Sequence, residues 1–193
     1  MRKTFELRNV IEQRRKIHPH KFTLWIAIGS IIMMFAGLTS AYIVKREQPA
    51  WTTFEIPRSF WYSTAVILLS SLTIQMAVKA FKERQMQRYK KMISITTFLG
   101  LLFVLLQWIS FTHIWNSGVT LQGSGAGQFL YVIAGLHALH VLAGVIALII
   151  LFFRAINIKI RNYDPVPIEI MSTYWHFVDI LWIYLFIFFM LIQ

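Results

Sequence analysis

Residues 172–192 read STYWHFVDILWIYLFIFFMLI. The run is apolar over about 20 residues, which is the length that a helix needs to cross a bilayer. His176 and Asp179 lie three residues apart within it, so on a helix they share one face. Each unpaired ionisable group costs roughly 2.5 kcal/mol or more inside a membrane. The stretch therefore predicts a membrane-spanning helix whose polar pair needs either partners or a function.

The composition extends this prediction from one helix to the whole chain. Hydrophobic residues occupy 57% of the 193 positions, charged residues occupy only 14%, and the mean hydropathy is +0.59. A soluble domain of this length could not bury so much apolar surface. We predict an all-α, multi-pass membrane protein in which a basic cytoplasmic segment, residues 1–21, precedes one five-helix transmembrane domain, residues 22–193. The predicted spans are residues 22–44, 60–81, 92–115, 127–153 and 172–192.

The positive charge follows the alternation of these spans. Sixteen of the nineteen Lys and Arg residues lie in residues 1–21, 79–91 and 154–161, which five spans would place on one side of the membrane. This distribution predicts a cytoplasmic N-terminus and an external C-terminus. It also indicates that the net charge of +11 meets anionic lipid head groups. Nucleic acid is not an expected partner, because no soluble basic surface with base-stacking aromatic residues remains. The absence of cysteine excludes disulfides and thiolate metal ligands.

Five ionisable residues within or beside the last two spans carry the candidate chemistry. His137 and His140 share one helix face, as His176 and Asp179 do, and Glu169 lies near the inner boundary of the last span. The antiparallel spans bring His140 and Asp179 to a similar depth, where they could meet. Three interpretations are open: a zinc or iron site, a haem site, and hydrogen bonding that fixes the helix register. The single carboxylate within the spans and the short histidine spacing favour the structural interpretation.

Small and polar side chains in the first three spans predict further helix contacts. Gly29 and Gly37 would let the first span approach a neighbour closely, because small residues do so in membrane helix pairs. Ser70 and Ser71 would serve the second span in the same way. Gln107 would hydrogen-bond to a neighbouring helix.

Two motifs stand out in the last two spans. Residues 174–179 read YWHFVD and are followed by Trp182, and residues 135–141 read GLHALHV and are followed by Gly144 and Arg154. In residue type and spacing, these motifs resemble the last two helices of haem-copper oxidase subunit III, a subunit of cytochrome c and quinol oxidases. The first three spans resemble earlier helices of the same family. The five-span length resembles the short bacterial forms rather than members with seven helices.

Three positions correspond to glutamates of that family. Glu169 falls where the family has a glutamate, whereas Ile31 and Ser110 stand where many members carry buried glutamates. The resemblance therefore does not extend to this chain a proton-handling role through those two carboxylates.

The resemblance implies a non-catalytic subunit of a respiratory haem-copper terminal oxidase in the bacterial plasma membrane. Such a chain would hold no catalytic, cofactor-binding or metal-ligating residue, since haem and copper would lie in partner subunits. It would support assembly and sustained proton-coupled oxygen reduction by subunit I, its main partner. Subunit II, small subunits or a supercomplex would be further partners. The electron donor, cytochrome c or quinol, stays open.

Individual residues have expected roles, of which lipid binding is implied by the resemblance and the others follow from the polar groups themselves. Bound phospholipid is expected, with Arg154 as the candidate ligand of a lipid phosphate. A structural polar cluster would consist of His137, His140, Glu169, His176 and Asp179. The alternative function is that of a membrane metalloenzyme whose ligands are His137, His140, His176 and Asp179.

Overall fold

The computed structural model describes residues 19–47, 58–118, 125–157 and 164–192. Its regular elements are five long helices: α1 (Pro19–Arg46), α2 (Ser59–Lys82), α3 (Met86–Asn116), α4 (Gly125–Asn157) and α5 (Val166–Leu191). All five are long and apolar enough to cross a membrane, which confirms the predicted all-α, five-span architecture. Most of the predicted basic segment 1–21, and parts of three predicted connections, lie outside the described residues.

The helices extend beyond the predicted spans. α3 begins at Met86 rather than at residue 92, and α4 continues to Asn157 rather than ending at residue 153. Hydropathy marks only the apolar part of a helix, whereas backbone hydrogen bonding continues into the head-group region, where long basic side chains reach water. The connection predicted between the second and third spans, residues 82–91, is therefore largely helical.

A three-residue turn joins α2 to α3. Arg84 adopts the left-handed conformation, with φ of +58°, and the backbone N–H of Gln85 donates to the carbonyl oxygen of Ala80 at 2.9 Å. A left-handed residue of this kind commonly ends a helix. Because the turn is so short, α2 and α3 run antiparallel and form the most extensive helix pair of the bundle.

α5 lies at the centre of the packing. Its backbone runs close to α1, α2 and α4, and its side chains Trp175 and Trp182 also reach α3. α3 lies against α2 and α4. Within the described part of the chain, α1 contacts only α4 and α5 and does not touch α2. The apolar segment of α5 is 50% buried, compared with 17% for α1. The bundle therefore leaves a gap between α1 and α2, and α5 forms its floor.

The outer surface of the bundle is apolar. Large side chains such as Trp25, Met33, Trp108 and Leu139 are more than half exposed. In water this surface would be an aggregation liability, but lipid tails solvate it well. Burial against other helices, rather than hydropathy, thus distinguishes the inside of this bundle from its outside.

Trp175 occupies the centre of the helix packing. It is fully buried, and its indole Nε1 donates to Ser70 Oγ on α2 at 3.1 Å. Gly100 on α3 and Gly144 on α4 provide its space, since an added Cβ would lie 3.1 Å and 2.9 Å from its ring atoms, respectively. Atoms of these types rarely approach more closely than about 3.5 Å without strain. The Trp175 side chain therefore fixes the contacts of α5 with α2, α3 and α4.

The glycines of α1 do not play the predicted part. An added Cβ at Gly29 or Gly37 would meet nothing within 4 Å, and both residues are exposed. Within the described chain, the prediction that they bring the first span close to a neighbour is wrong. Small residues permit close packing, but the sequence does not show which face of a helix is packed.

Candidate functional site

His176 and Asp179 both turn towards α2. The Nδ1 atom of His176 lies 2.5 Å from Ser71 Oγ, within a hydrogen bond. Asp179 is 2% exposed, and the Ser71 side chain lies beside it. Neither of its carboxylate oxygens accepts a hydrogen bond from any described residue. The predicted polar pair therefore contributes to the interface between α5 and α2.

His137 and His140 make different contacts. The ring of His137 stacks on Trp182, with centroids 5.4 Å apart. His140 bonds through Nδ1 to the carbonyl oxygen of Leu136, one turn back in its own helix, at 2.7 Å. Its own carbonyl oxygen accepts a hydrogen bond of 2.9 Å from the Tyr174 hydroxyl. A ring stack and a backbone hydrogen bond thus join α4 to α5.

These four residues do not form one network in the structure. No hydrogen bond among the described residues joins His140 to Asp179, because α5 turns Asp179 towards α2 while α4 turns His140 towards Phe35 of α1. The three-residue spacing correctly places each pair on one face. It does not determine which neighbouring helix that face meets.

Glu169 lies apart from the other four residues, in the first turn of α5. Its two carboxylate oxygens each lie 2.6 Å from a lysine Nζ, that of Lys21 on α1 and that of Lys82 on α2. The lysine side chains are 39% and 54% exposed and that of Glu169 is 20% exposed, so solvent weakens each attraction. The carboxylate nevertheless bridges two helices that do not touch each other.

A cleft of about 570 Å³ occupies the gap between α1 and α2. Lys21, Lys82 and Glu169 line one part of it, and Gln75 and His176 line another. The cleft is therefore polar and carries one more positive than negative charge. It differs from the apolar outer surface of the bundle, and it is a candidate site for an amphiphile with an anionic head.

The described residues provide no evident metal site. No group of three or more His, Asp or Glu side chains comes together among residues 19–47, 58–118, 125–157 and 164–192. A zinc site normally has three or four such ligands. The metalloenzyme alternative therefore gains no support from the positions of His137, His140, His176 and Asp179.

Other interhelical contacts were only partly predicted. Gln107 Nε2 donates to Ser63 Oγ on α2 at 3.1 Å, which confirms the prediction for that residue. The roles of Ser70 and Ser71 as hydrogen-bond partners of α5 were not predicted. The bridge between Glu169 and two lysines was also missed, although an acidic residue near three basic segments was a signal for it.

Comparison with known proteins assigns the family. A model of the family described as Cytochrome c oxidase subunit III matches residues 20–192. The chain belongs to the cytochrome c oxidase subunit III family. The match covers all five helices, which confirms the resemblance drawn from residues 135–141 and 174–179. As a member of this family, the chain is a multi-pass protein of the bacterial plasma membrane.

Individual subunit III relatives are similar over nearly the whole chain. The "Probable cytochrome c oxidase subunit 3" of Mycobacterium leprae (strain TN) is 34% identical, over 89% of this chain and 90% of the relative. The protein of the same name from Nocardia farcinica (strain IFM 10152) is 32% identical, with the same coverage of both chains. The "Cytochrome c oxidase subunit 3" of Bacillus subtilis (strain 168) is 27% identical, over 87% of this chain and 88% of the relative.

The structure shows the surroundings of Ile31 and Ser110, the two positions at which many subunit III proteins carry glutamates. Ile31 on α1 is half-buried and packs against the hydrophobic core. Ser110 on α3 is fully buried, and its Oγ lies 2.8 Å from Ser59 Oγ and 2.7 Å from the carbonyl oxygen of Leu106. An apolar contact and a neutral hydrogen bond therefore occupy the positions at which the resemblance expects acids.

Arg154 lies in the last turn of α4 and is exposed. It does not line the cleft between α1 and α2. The C-terminal end of a helix favours a cation through the helix dipole. The Arg154 guanidinium is exposed, so a ligand outside the bundle can reach it. Its predicted contact with a lipid phosphate stays a prediction.

Proposed function

We propose that this chain is a non-catalytic subunit of a respiratory haem-copper terminal oxidase, in which it supports assembly and sustained proton-coupled oxygen reduction by subunit I. Haem and copper belong to the partner subunits, and subunit II or further small subunits complete the complex. The names of the relatives support this proposal and favour cytochrome c as the electron donor of the complex.

The observation that carries the proposal is the use of polar groups in α5. The indole N–H groups of Trp175 and Trp182 donate to Ser70 and Thr64, and His176 bonds to Ser71. All three contacts join α5 to α2. Groups arranged in this way hold helices together, whereas a catalytic site would bring them together around a substrate.

We also propose that the cleft between α1 and α2 takes a phospholipid. Lys21 and Lys82 would attract the phosphate, while Leu24 and Trp25 offer apolar contact to an acyl chain. Arg154 is a second candidate phosphate ligand at the end of α4. Lipid analysis of the purified complex tests the two sites, because Lys82→Ala and Arg154→Ala should each lower the retained anionic phospholipid. Unchanged lipid content in both variants would contradict this assignment.

The proposed topology places the N-terminus in the cytoplasm and the C-terminus outside. The concentration of Lys and Arg in residues 1–21, 79–91 and 154–161 supports it. Reporter fusions at the C-terminus test the orientation. A reporter active only in the cytoplasm would contradict it.

The scaffold role is tested by purifying the oxidase with and without this chain. We expect both preparations to consume oxygen at similar initial rates per haem, while the preparation without the chain loses activity sooner during turnover. An initial rate per haem near zero without the chain, in a preparation with intact haem and copper spectra, would contradict the non-catalytic assignment.

A further inference from the structure

A groove between α3 and α4 is separate from the polar contacts of the proposed scaffold. Its volume is about 290 Å³, close to the lower limit of small-molecule sites in proteins, roughly 300 Å³. Phe103 and Phe111 of α3, Val141 of α4 and Trp182 of α5 contribute apolar walls. We call this cavity the α3–α4 groove.

Two buried polar side chains line the α3–α4 groove without completing their hydrogen bonds. His137 is 2% exposed and Gln107 is 8% exposed. Both ring nitrogens of His137 and the Oε1 atom of Gln107 have no hydrogen-bond partner among the described residues. Such groups are rare in buried positions because an unmade hydrogen bond there is costly. The groove thus combines apolar walls with hydrogen-bond donors and acceptors, on His137 and Gln107, that have no partner among the described residues.

The packing around these side chains keeps them in place. The amide nitrogen of Gln107 donates to Ser63 Oγ at 3.1 Å, which holds the side chain while leaving its oxygen without a partner. The His137 ring lies between the face of Trp182 and the edge of Phe35. The unpartnered atoms are themselves buried behind the groove wall, so a ligand head reaches them after a small rotation of the side chains.

The groove opens sideways towards lipid. Gly135 and Ala138 line it and are exposed, and Trp108 and Leu142 beside them are 73% and 43% exposed. An added Cβ at Gly135 would meet nothing within 4 Å, so this small residue leaves the entrance wide. A molecule could therefore enter from the bilayer and leave its tail there.

We propose that the α3–α4 groove binds a neutral, lipid-soluble molecule whose head carries a hydroxyl group. A hydroxyl can donate to Gln107 Oε1 and accept from the ring N–H of a neutral His137, which gives each side chain one of the partners that it lacks. Among the described residues, none that lines the groove is charged, so a phosphate or carboxylate head would be buried there without a counter-ion from them. A quinol and a long-chain alcohol share the required chemistry.

Photolabelling of the purified oxidase complex tests this assignment. Three probes carry the same diazirine in their tails: a decyl quinol, hexadecanol and phosphatidylglycerol. After illumination, mass spectrometry maps the labelled peptides. We expect the quinol or the alcohol to label residues of α3 and α4 at the groove, and the more strongly labelling probe identifies the source of the hydroxyl head. Unlabelled probe should compete.

Matched variants show whether the groove itself binds the probe. His137→Phe keeps a ring stacked on Trp182 but removes both ring nitrogens. It should lower labelling about tenfold, because a hydrogen bond worth about 1.4 kcal/mol changes an affinity by that factor. His137→Gln restores a donor and an acceptor and should recover part of it. Leu139→Phe, at a lipid-exposed position of the same helix outside the groove, is the control and should change nothing. Gly135→Phe should block the entrance, while Gly135→Ala should not.

Three results would overturn the proposal. The first is that neither neutral probe labels the groove. The second is that phosphatidylglycerol labels the groove as strongly as the neutral probes do. The third is that the His137→Phe variant and the Gly135→Phe variant both keep full labelling. If His137→Phe does not assemble, the comparison of Gly135→Phe with Gly135→Ala decides the question by itself.

Discussion

α5 and α1 are apolar helices of similar length, with 26 and 28 residues, yet the bundle uses them differently. α5 contacts all four other described helices, since its Trp175 and Trp182 also reach α3, whereas α1 contacts two. Buried positions occur along most of α5, whereas those of α1 are confined to one stripe, Ile28, Phe35, Thr39 and Tyr42. Apolar composition places both helices in the membrane, but complementary shapes and hydrogen bonds determine which of them forms the core.

The polar partners show the same difference. Trp175, His176 and Trp182 of α5 each bond to a hydroxyl group on α2. α1 makes such a contact in its membrane part through Thr39, whose Oγ1 lies 2.9 Å from Tyr184 OH, and it has the ion pair of Lys21 near its beginning. Equivalent substitutions should therefore cost more on α5 and its contact surfaces than on α1.

The largest expected difference is between two tryptophans. Trp175→Ala should destabilise the complex by about 3 kcal/mol or more, because it leaves a cavity between three helices and removes a hydrogen bond from Ser70. Trp25→Ala on α1 should cost less than about 1 kcal/mol, because Trp25 is 61% exposed at the edge of the cleft between α1 and α2 and fills no space between packed helices. Thermal denaturation of the purified complex measures both. Equal losses would show that α5 is not the centre of the packing.

A second comparison uses two glycines. Gly144→Ala places a methyl group 2.9 Å from the Trp175 ring and should cost roughly 1–3 kcal/mol through overpacking. Gly37→Ala on α1 meets open space and should be neutral or slightly stabilising, because alanine favours the helix by about 0.5–1 kcal/mol over glycine. The same denaturation assay applies. A larger loss for Gly37→Ala would reverse the comparison and indicate that a partner covers that face.

The contact between Ser71 and His176 should have a smaller effect. Ser71→Ala removes the hydrogen bond to His176, and membrane hydrogen bonds of this kind are worth about 0.6–1.7 kcal/mol. Ser40→Ala on the exposed face of α1 is the control and should be silent. A double-mutant cycle with His176→Ala measures the coupling. A coupling of zero would remove this contact from the account.

The smallest predicted effect concerns the attachment of α1 by charge. Glu169→Gln leaves Lys21 and Lys82 without their common carboxylate and should cost about 1 kcal/mol or less, since all three groups are partly exposed. The loss should shrink as salt is added. Glu83→Gln, which affects only the exposed pair with Lys79 at 3.9 Å, is the control. A loss that is independent of salt would indicate packing rather than charge.

The number of spans and their approximate positions were predictable from the sequence, because a bilayer imposes a minimum length on every apolar helix. The helix ends were not, since hydropathy cannot follow a helix beyond the apolar layer. α3 illustrates this difference: its first residues, from Met86, are polar and basic but helical.

The candidate site was predictable as residue pairs but not as contacts. The spacing of His176 and Asp179 correctly indicates a common face, and only the packed bundle shows that Ser71 meets it. Similarly, Gly29 and Gly37 were predicted to allow close helix packing, yet they face outward, and it is Gly100 and Gly144 that receive Trp175. Which face is buried depends on all five helices together, and local spacing does not contain that information.

The central claim, that this chain stabilises an oxidase without taking part in its chemistry, is tested most directly by the time course of oxygen consumption in purified complexes. The Gly144→Ala complex should start at the same rate per haem as the unsubstituted and Gly37→Ala complexes, and it alone should lose activity with a shorter half-life. A lowered initial rate per haem with an unchanged half-life would contradict the claim.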